Sequence, residues 1–172
     1  MNSSKLWPLF TKLLRCAFII IFLSIFYLSV QGQEKPPKPI AVTVSTVQHL
    51  SFGTFIQAGM AGTVTVDHTG FRTASGDIIL PNMSSVVTPA LFEVTALPGT
   101  LITIVNGPDT PLSNSHGSTI SLRIGESSTG SPFVVTGTNT NVFIGGTLTV
   151  ASLSANPAGD YSGSFTVTFI QN

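Results

Sequence analysis

The sequence predicts an all-β protein, a β-sandwich or barrel, and three observations carry that expectation. Threonine, serine, glycine and valine dominate the chain while only 8% of its residues are charged, a mixture that favours strands and tight turns over helices. Apolar residues alternate with hydroxyl-bearing ones in run after run, the period of two that half-buries a strand. Turn signals interrupt these runs at roughly 8–12-residue intervals, and no stretch of the body sustains a helical period.

The N-terminus reads as an address. Lys5, Lys12 and Arg15 precede residues 16–30 (CAFIIIFLSIFYLSV), an uncharged apolar run. A basic stretch, an apolar run of about 7–15 residues and small residues before a cut describe a secretory signal peptide. Val30 and Gly32 would occupy the third and first positions before the cleavage, with Gln33 as the new N-terminus. The competing reading, an uncleaved anchor, needs about 20 apolar residues, more than this run supplies. The expectation is an exported protein, in the periplasm, at the cell surface or outside the cell, meeting the membrane only through residues 1–32 before cleavage. Cys16 is the single cysteine and lies inside this segment, so the mature chain has no disulfide and no thiolate metal site.

Residues 34–39 (EKPPKP) read as an extended linker, and residues 40–172 as one domain. A mature chain of about 140 residues buries roughly two thirds of its unfolded surface, enough for a core without staples. Residues 40–47 (IAVTVSTV) place Ile40, Val42 and Val44 on one face of a strand. Residues 50–56 (LSFGTFI) continue with Leu50 and Phe52, residues 62–67 (GTVTVD) alternate, and residues 77–80 (DIIL) follow a Ser75-Gly76 turn. Residues 90–97 (ALFEVTAL) lead into Pro98-Gly99, a strong turn signal, and residues 100–105 (TLITIV) return.

Residues 106–118, rich in Gly, Pro, Asn and Ser, read as a long loop, and residues 119–124 (TISLRI) alternate cleanly. Residues 133–136 are a short strand. Residues 141–151 (NVFIGGTLTVA) are a long one, with a bulge or bend at Gly145-Gly146. Asn156-Pro157-Ala158-Gly159 turns into residues 160–170 (DYSGSFTVTFI), where Tyr161, Gly163, Phe165, Val167 and Phe169 share a face. Gly53 and Gly163 read as bulges or close backbone contacts. An outer-membrane barrel needs even strands of about 9–11 residues and aromatic girdles. Several runs are shorter, and the one tryptophan, Trp7, belongs to the signal segment.

Four segments then carry a resemblance. They are Thr46-Val47 through Phe55 (TV-x-x-LSFGTF), Phe92 through Thr100 (F-x-VT-x-x-PGT), Phe143 through Val150 (F-x-GGTLTV) and Pro157 through Thr168 (PAG-x-YSG-x-FTVT). In this order they resemble the exported bacterial domain of unknown function 4402 family, over about residues 40–170. The last segment is also similar to the closing strand of common-pilus and spore-coat-U type fimbrial subunits. That resemblance implies an immunoglobulin-like antiparallel β-sandwich, an export route and a surface or fimbrial role; it implies no catalytic residues. Many fimbrial subunits carry a cysteine pair that this chain lacks. In such a sandwich Tyr161 is the candidate for a corner hydrogen bond.

The chemistry-bearing residues are sparse. Past the signal segment, Lys35, Lys38, Arg72 and Arg123 face seven acids, a net charge of −3, so no basic patch invites nucleic acid. His49, His68 and His116 lack partners at metal-binding spacings apart from Asp67 beside His68, and neighbours on a strand point to opposite faces. Neither Gly125-Glu126-Ser127 nor Asp160-Tyr161-Ser162-Gly163 matches a nucleophile elbow, and no helix follows any glycine cluster. The expectation is a non-enzymatic protein without cofactor or metal, whose partners are itself or other surface proteins. Asn82-Met83-Ser84 fits a glycosylation sequon, a chance match in the bacterial source the resemblance implies.

Two functional readings follow. In the first the chain is a structural surface subunit that joins its neighbours by strand exchange through Ile40, Val42 and Val44, whose plainer role is the first strand of their own sandwich. In the second it is a monomeric adhesion or ligand-binding module that uses its loops, with Asp109, Asn114 and His116 as candidate contacts.

Overall fold

The computed structural model describes residues 41–44, 48–82 and 85–172. The signal peptide, the linker and Ile40 lie outside these residues. The described residues form ten strands: β1 (Ala41–Val44), β2 (Ile56–Val66), β3 (Arg72–Ile79), β4 (Ala90–Thr95), β5 (Leu101–Asn106), β6 (Thr110–Ser113), β7 (Thr119–Ser127), β8 (Phe133–Val134), β9 (Asn139–Val150) and β10 (Val167–Gln171). No helix occurs among the described residues. Seven strands form one sheet in the order β1-β4-β9-β2-β3, with β7 also on β9 and β6 beyond β7; β10-β5-β8 form the second. Every pairing is antiparallel. The fold is therefore a two-sheet β-sandwich.

The long strand β9 organises the larger sheet. Its first half, from Asn139 to Ile144, pairs with β4, and its second half, from Gly146 to Val150, runs between β2 and β7. The change of partner falls at the expected bend. A Cβ at Gly145 would strike the carbonyl oxygen of Val66 and come within 2.7 Å of the Asp67 carbonyl carbon. Only glycine lets the end of β2 approach this closely.

Alternation does what the sequence says. Val64 and Val66, Phe92 and Val94, Ile120 and Leu122, Val142 and Ile144, and Leu148 and Val150 all point inward and are buried. Burial of each such side chain stabilises the fold by about 1.5–3 kcal/mol. From the small sheet come Ile102, Phe133, Val167 and Phe169. Phe92 joins the layers, with ring centroids 5.5 Å from Phe169 and 6.5 Å from Phe165.

The structure corrects four details. Of the strand expected over residues 50–56 only Ile56 is one, as the first residue of β2. Ser51 makes a single bridge to Thr88, and Gly53 at φ +64° turns the chain before β2 begins. Ser75-Gly76 is not a turn either: Gly76 sits inside β3 opposite Gly62, beside a register shift in β2. The hairpin closes instead at residues 67–71, where the Gly70 amide donates to the Asp67 carbonyl at 3.0 Å.

The long loop of residues 106–118 contains β6, which pairs with β7 and buries Leu112. Pro111 is tolerated because β6 has a strand partner on one side only. Finally, residues 160–166 are irregular and the last strand starts at Val167, although Tyr161, Phe165, Val167 and Phe169 still share the inward face.

Candidate functional site

The unequal sheets create the candidate site. Seven strands present a broad apolar inner face and three cover only part of it. Over β6, β7 and the second half of β9 the second layer consists of two irregular segments, residues 48–55 and 157–165. Between them lies a groove of about 1100 Å³ whose floor is the sandwich core itself: Phe92, Leu112, Ile120, Leu122, Leu148 and Val150. Small-molecule pockets span about 300–1,000 Å³, and this groove stands at the upper end of that range.

Both walls are fastened. Residues 48–55 are stitched to the chain before β4: Ser51 and Thr88 exchange both backbone hydrogen bonds, at 2.8 and 3.0 Å. The Thr88 hydroxyl donates to the His49 carbonyl at 2.6 Å, and the Ser51 hydroxyl to that of Val86 at 2.7 Å. Arg72, reaching over from β3, donates from one guanidinium nitrogen to the carbonyls of Phe52 (2.8 Å) and Thr54 (2.9 Å). It thereby clamps both sides of the left-handed Gly53.

The opposite wall hangs from β6, with Ser113 and Ser162 exchanging backbone bonds at 2.9 and 3.0 Å. Tyr161 makes the corner bond the sequence suggested, its hydroxyl donating to the Pro157 carbonyl at 2.7 Å. Gly163 lies against Leu112, where a Cβ would come within 2.9 Å of that side chain. The buried Asn156 ties down the preceding turn, accepting from the Ala151 amide at 2.6 Å and donating to the Thr119 carbonyl at 2.7 Å. The walls also carry hydroxyl, amide and imidazole groups, and Asp160 is the one acid lining the groove.

The residues singled out from the sequence fall in separate places. Val42 and Val44 lie in β1, in register with Val94 and Phe92 of β4, so this segment is the edge strand of its own sheet. Asp109 and the pair Asn114/His116 are at opposite ends of β6 and do not converge. Asp109 is exposed and accepts from the Arg123 guanidinium at 3.2 Å. Asn114 is buried as an organiser of the β6–β7 turn, its Oδ1 accepting from the amides of His116 (3.0 Å) and Ser118 (2.9 Å). His116 is exposed. Among the described residues no three His, Cys, Asp or Glu side chains gather as a metal site.

Asp67 has a perturbed acidity. Its carboxyl is held below the ordinary carboxylate value, first by the Thr69 hydroxyl, against an opposing effect of desolvation, and then by the amides of Phe71 and Thr69. Those bonds, at 2.6, 2.9 and 2.8 Å, brace the β2–β3 turn. Arg72 and the groove were not visible in the sequence, because both depend on contacts between segments about 20 to 110 residues apart.

The model of a protein family described as Domain of unknown function (DUF4402) matches residues 42–170. No curated protein and no solved structure matches the chain.

Proposed function

For a chain that belongs to the DUF4402 family and carries this groove, we propose an exported, non-enzymatic surface-assembly role in which the groove receives an extended segment from a second copy. The occupant is residues 40–47 of the neighbour. The observation that carries this reading is the groove's apolar floor, which irregular segments and not strands cover. An incoming strand with Ile40, Val42 and Val44 on one face replaces that irregular cover.

Charge supports the same occupant. Residues 33–40 hold Lys35 and Lys38 against Glu34, a net +1, whereas residues 41–172 hold Arg72 and Arg123 against six acids, a net −4. The flank that precedes the donor strand and the rest of the chain therefore carry opposite net charge. The donor leaves only four residues of edge pairing with β4.

Because Cys16 is the only cysteine and precedes the expected cleavage point, the test is clean. Mature chains (residues 33–172) bearing Val42→Cys are mixed with mature chains bearing Ser162→Cys and oxidised. A disulfide-linked heterodimer, together with oligomers that resist dilution in light scattering, is the expected result. A monomer at every concentration and no cross-link refutes the reading. Assembly without this cross-link refutes the groove as its site.

A further inference from the structure

We infer that the outer face of the large sheet, opposite the groove, is a binding surface for a neutral polysaccharide. The strand registers line up its side chains in two rows. One row runs Ser75, Thr63, Thr149, Ser121 across β3, β2, β9 and β7, and the next runs Thr73, Thr65, Thr147, Arg123. Neighbouring strands are about 4.8 Å apart and alternate residues about 6.7 Å apart, so hydroxyls repeat across the face on the scale of a sugar ring.

These hydroxyls are held in place by one another. The Thr63 and Ser75 oxygens lie 2.8 Å apart, and those of Thr65 and Thr147 2.9 Å. Such ordering lowers the entropy a ligand must remove, and each pair still offers one O–H donor and free acceptor lone pairs. At the β7 end the face dips into a shallow cleft of about 350 Å³, where Asp109, Thr119, Ser121 and Thr149 converge. A carboxylate beside hydroxyls is an acceptor for a sugar diol.

Other partners fit less well. A protein interface wants aromatic or aliphatic anchors at its centre, and the two rows contain none. Nucleic acid or an acidic glycan wants cations, and Arg123, the one cation in the rows, is engaged by Asp109 at 3.2 Å. A surface of ordered hydroxyls matches a ligand that is itself a surface of hydroxyls.

The test uses the mature chain (residues 33–172) in pull-downs on cellulose, chitin and curdlan, with alginate as the anionic comparison. Retention on at least one neutral polymer, insensitive to salt, is expected. The variant Thr63→Val/Thr147→Val/Thr149→Val keeps shape and strand preference while removing three hydroxyls, and should bind at least tenfold more weakly. Ser121→Lys, a single exposed change that obstructs the row, should do the same should the triple variant fold poorly; circular dichroism and melting report folding. Retention on none of the neutral polymers, retention on alginate alone, or neutral binding unchanged in the folded variants overturns the inference.

Discussion

Gly145→Ala tests whether the bend in β9 is the joint of the sandwich. The added methyl meets the Val66 carbonyl oxygen, and the carbonyl carbon and Cα of Asp67 at 2.7 and 2.8 Å. All three are backbone atoms at the end of β2, so no side chain can swing aside. Either β2 moves away from β9 or β9 buckles between its two halves. Forcing atoms into such a site costs about 1–3 kcal/mol. Displacing the Val66↔Gly146 end of the ladder loses about 1 kcal/mol per hydrogen bond.

Together the two effects amount to about 2–4 kcal/mol, a large share of the 5–15 kcal/mol typical of a domain. For a domain of this size that lowers Tm by roughly 8–16 °C. Gly137→Ala is the control, since its nearest non-neighbouring atom would be 3.8 Å away and its φ is not in the left-handed region. It should leave Tm unchanged or raise it slightly. Both are read by thermal melts of the mature chain followed by circular dichroism. A Gly145→Ala melt within about 2 °C of wild type refutes the argument that backbone contact at this point fixes the partner change.

Three further outcomes are expected. Arg72→Met removes two charge-assisted hydrogen bonds to the Phe52 and Thr54 carbonyls and should cost about 1–3 kcal/mol, while raising hydrogen exchange or proteolysis in residues 48–57 first; uniform loosening refutes the clamp. Tyr161→Phe loses the bond to the Pro157 carbonyl and should cost about 0.5–1.5 kcal/mol in urea titrations; no change in midpoint refutes its role. Asp67 has a folded-state pKa below its unfolded one, so its stabilisation is complete above the unfolded value and is lost as pH falls through the folded value. Asp67→Ala should therefore narrow the stability difference between neutral and strongly acidic pH, and an unchanged acid profile refutes that.

The sandwich was legible because its strands obey one local rule. Thr63-Val64-Thr65 and Thr147-Leu148-Thr149 announce both strand and inward face without any partner in view. The misreadings share a cause. Residues 50–56 look like a strand because Leu50, Phe52 and Phe55 are apolar, yet they are the substitute for a missing strand, and Gly53 in the left-handed region breaks the ladder. β6 offers only Pro111 and Leu112 as signal, and becomes a strand because β7 supplies its partner. Tyr161 was readable because its bond spans four residues. Arg72 was not, because its acceptors are backbone carbonyls 18 and 20 residues away, which no side-chain pattern marks.

The period of two has a further consequence for the two proposed surfaces. β7 and β9 floor the groove with Leu122, Leu148 and Val150, and with the residues between them, Ser121, Thr147 and Thr149, they build the hydroxyl rows. The surfaces are opposite faces of the same strands, one sheet thickness apart. A slip of one residue in the β7–β9 register would exchange them, placing hydroxyls in the core and leucines in water, so burial of the floor is also what holds the outer rows in line. The two activities should then separate under substitution of side chains and fail together under damage to the backbone. Thr149→Val should weaken polysaccharide retention and leave the Val42→Cys to Ser162→Cys cross-link intact. Gly145→Ala, which displaces β9 itself, should diminish both, and loss of only one would show that the strand's position is not what the two faces have in common.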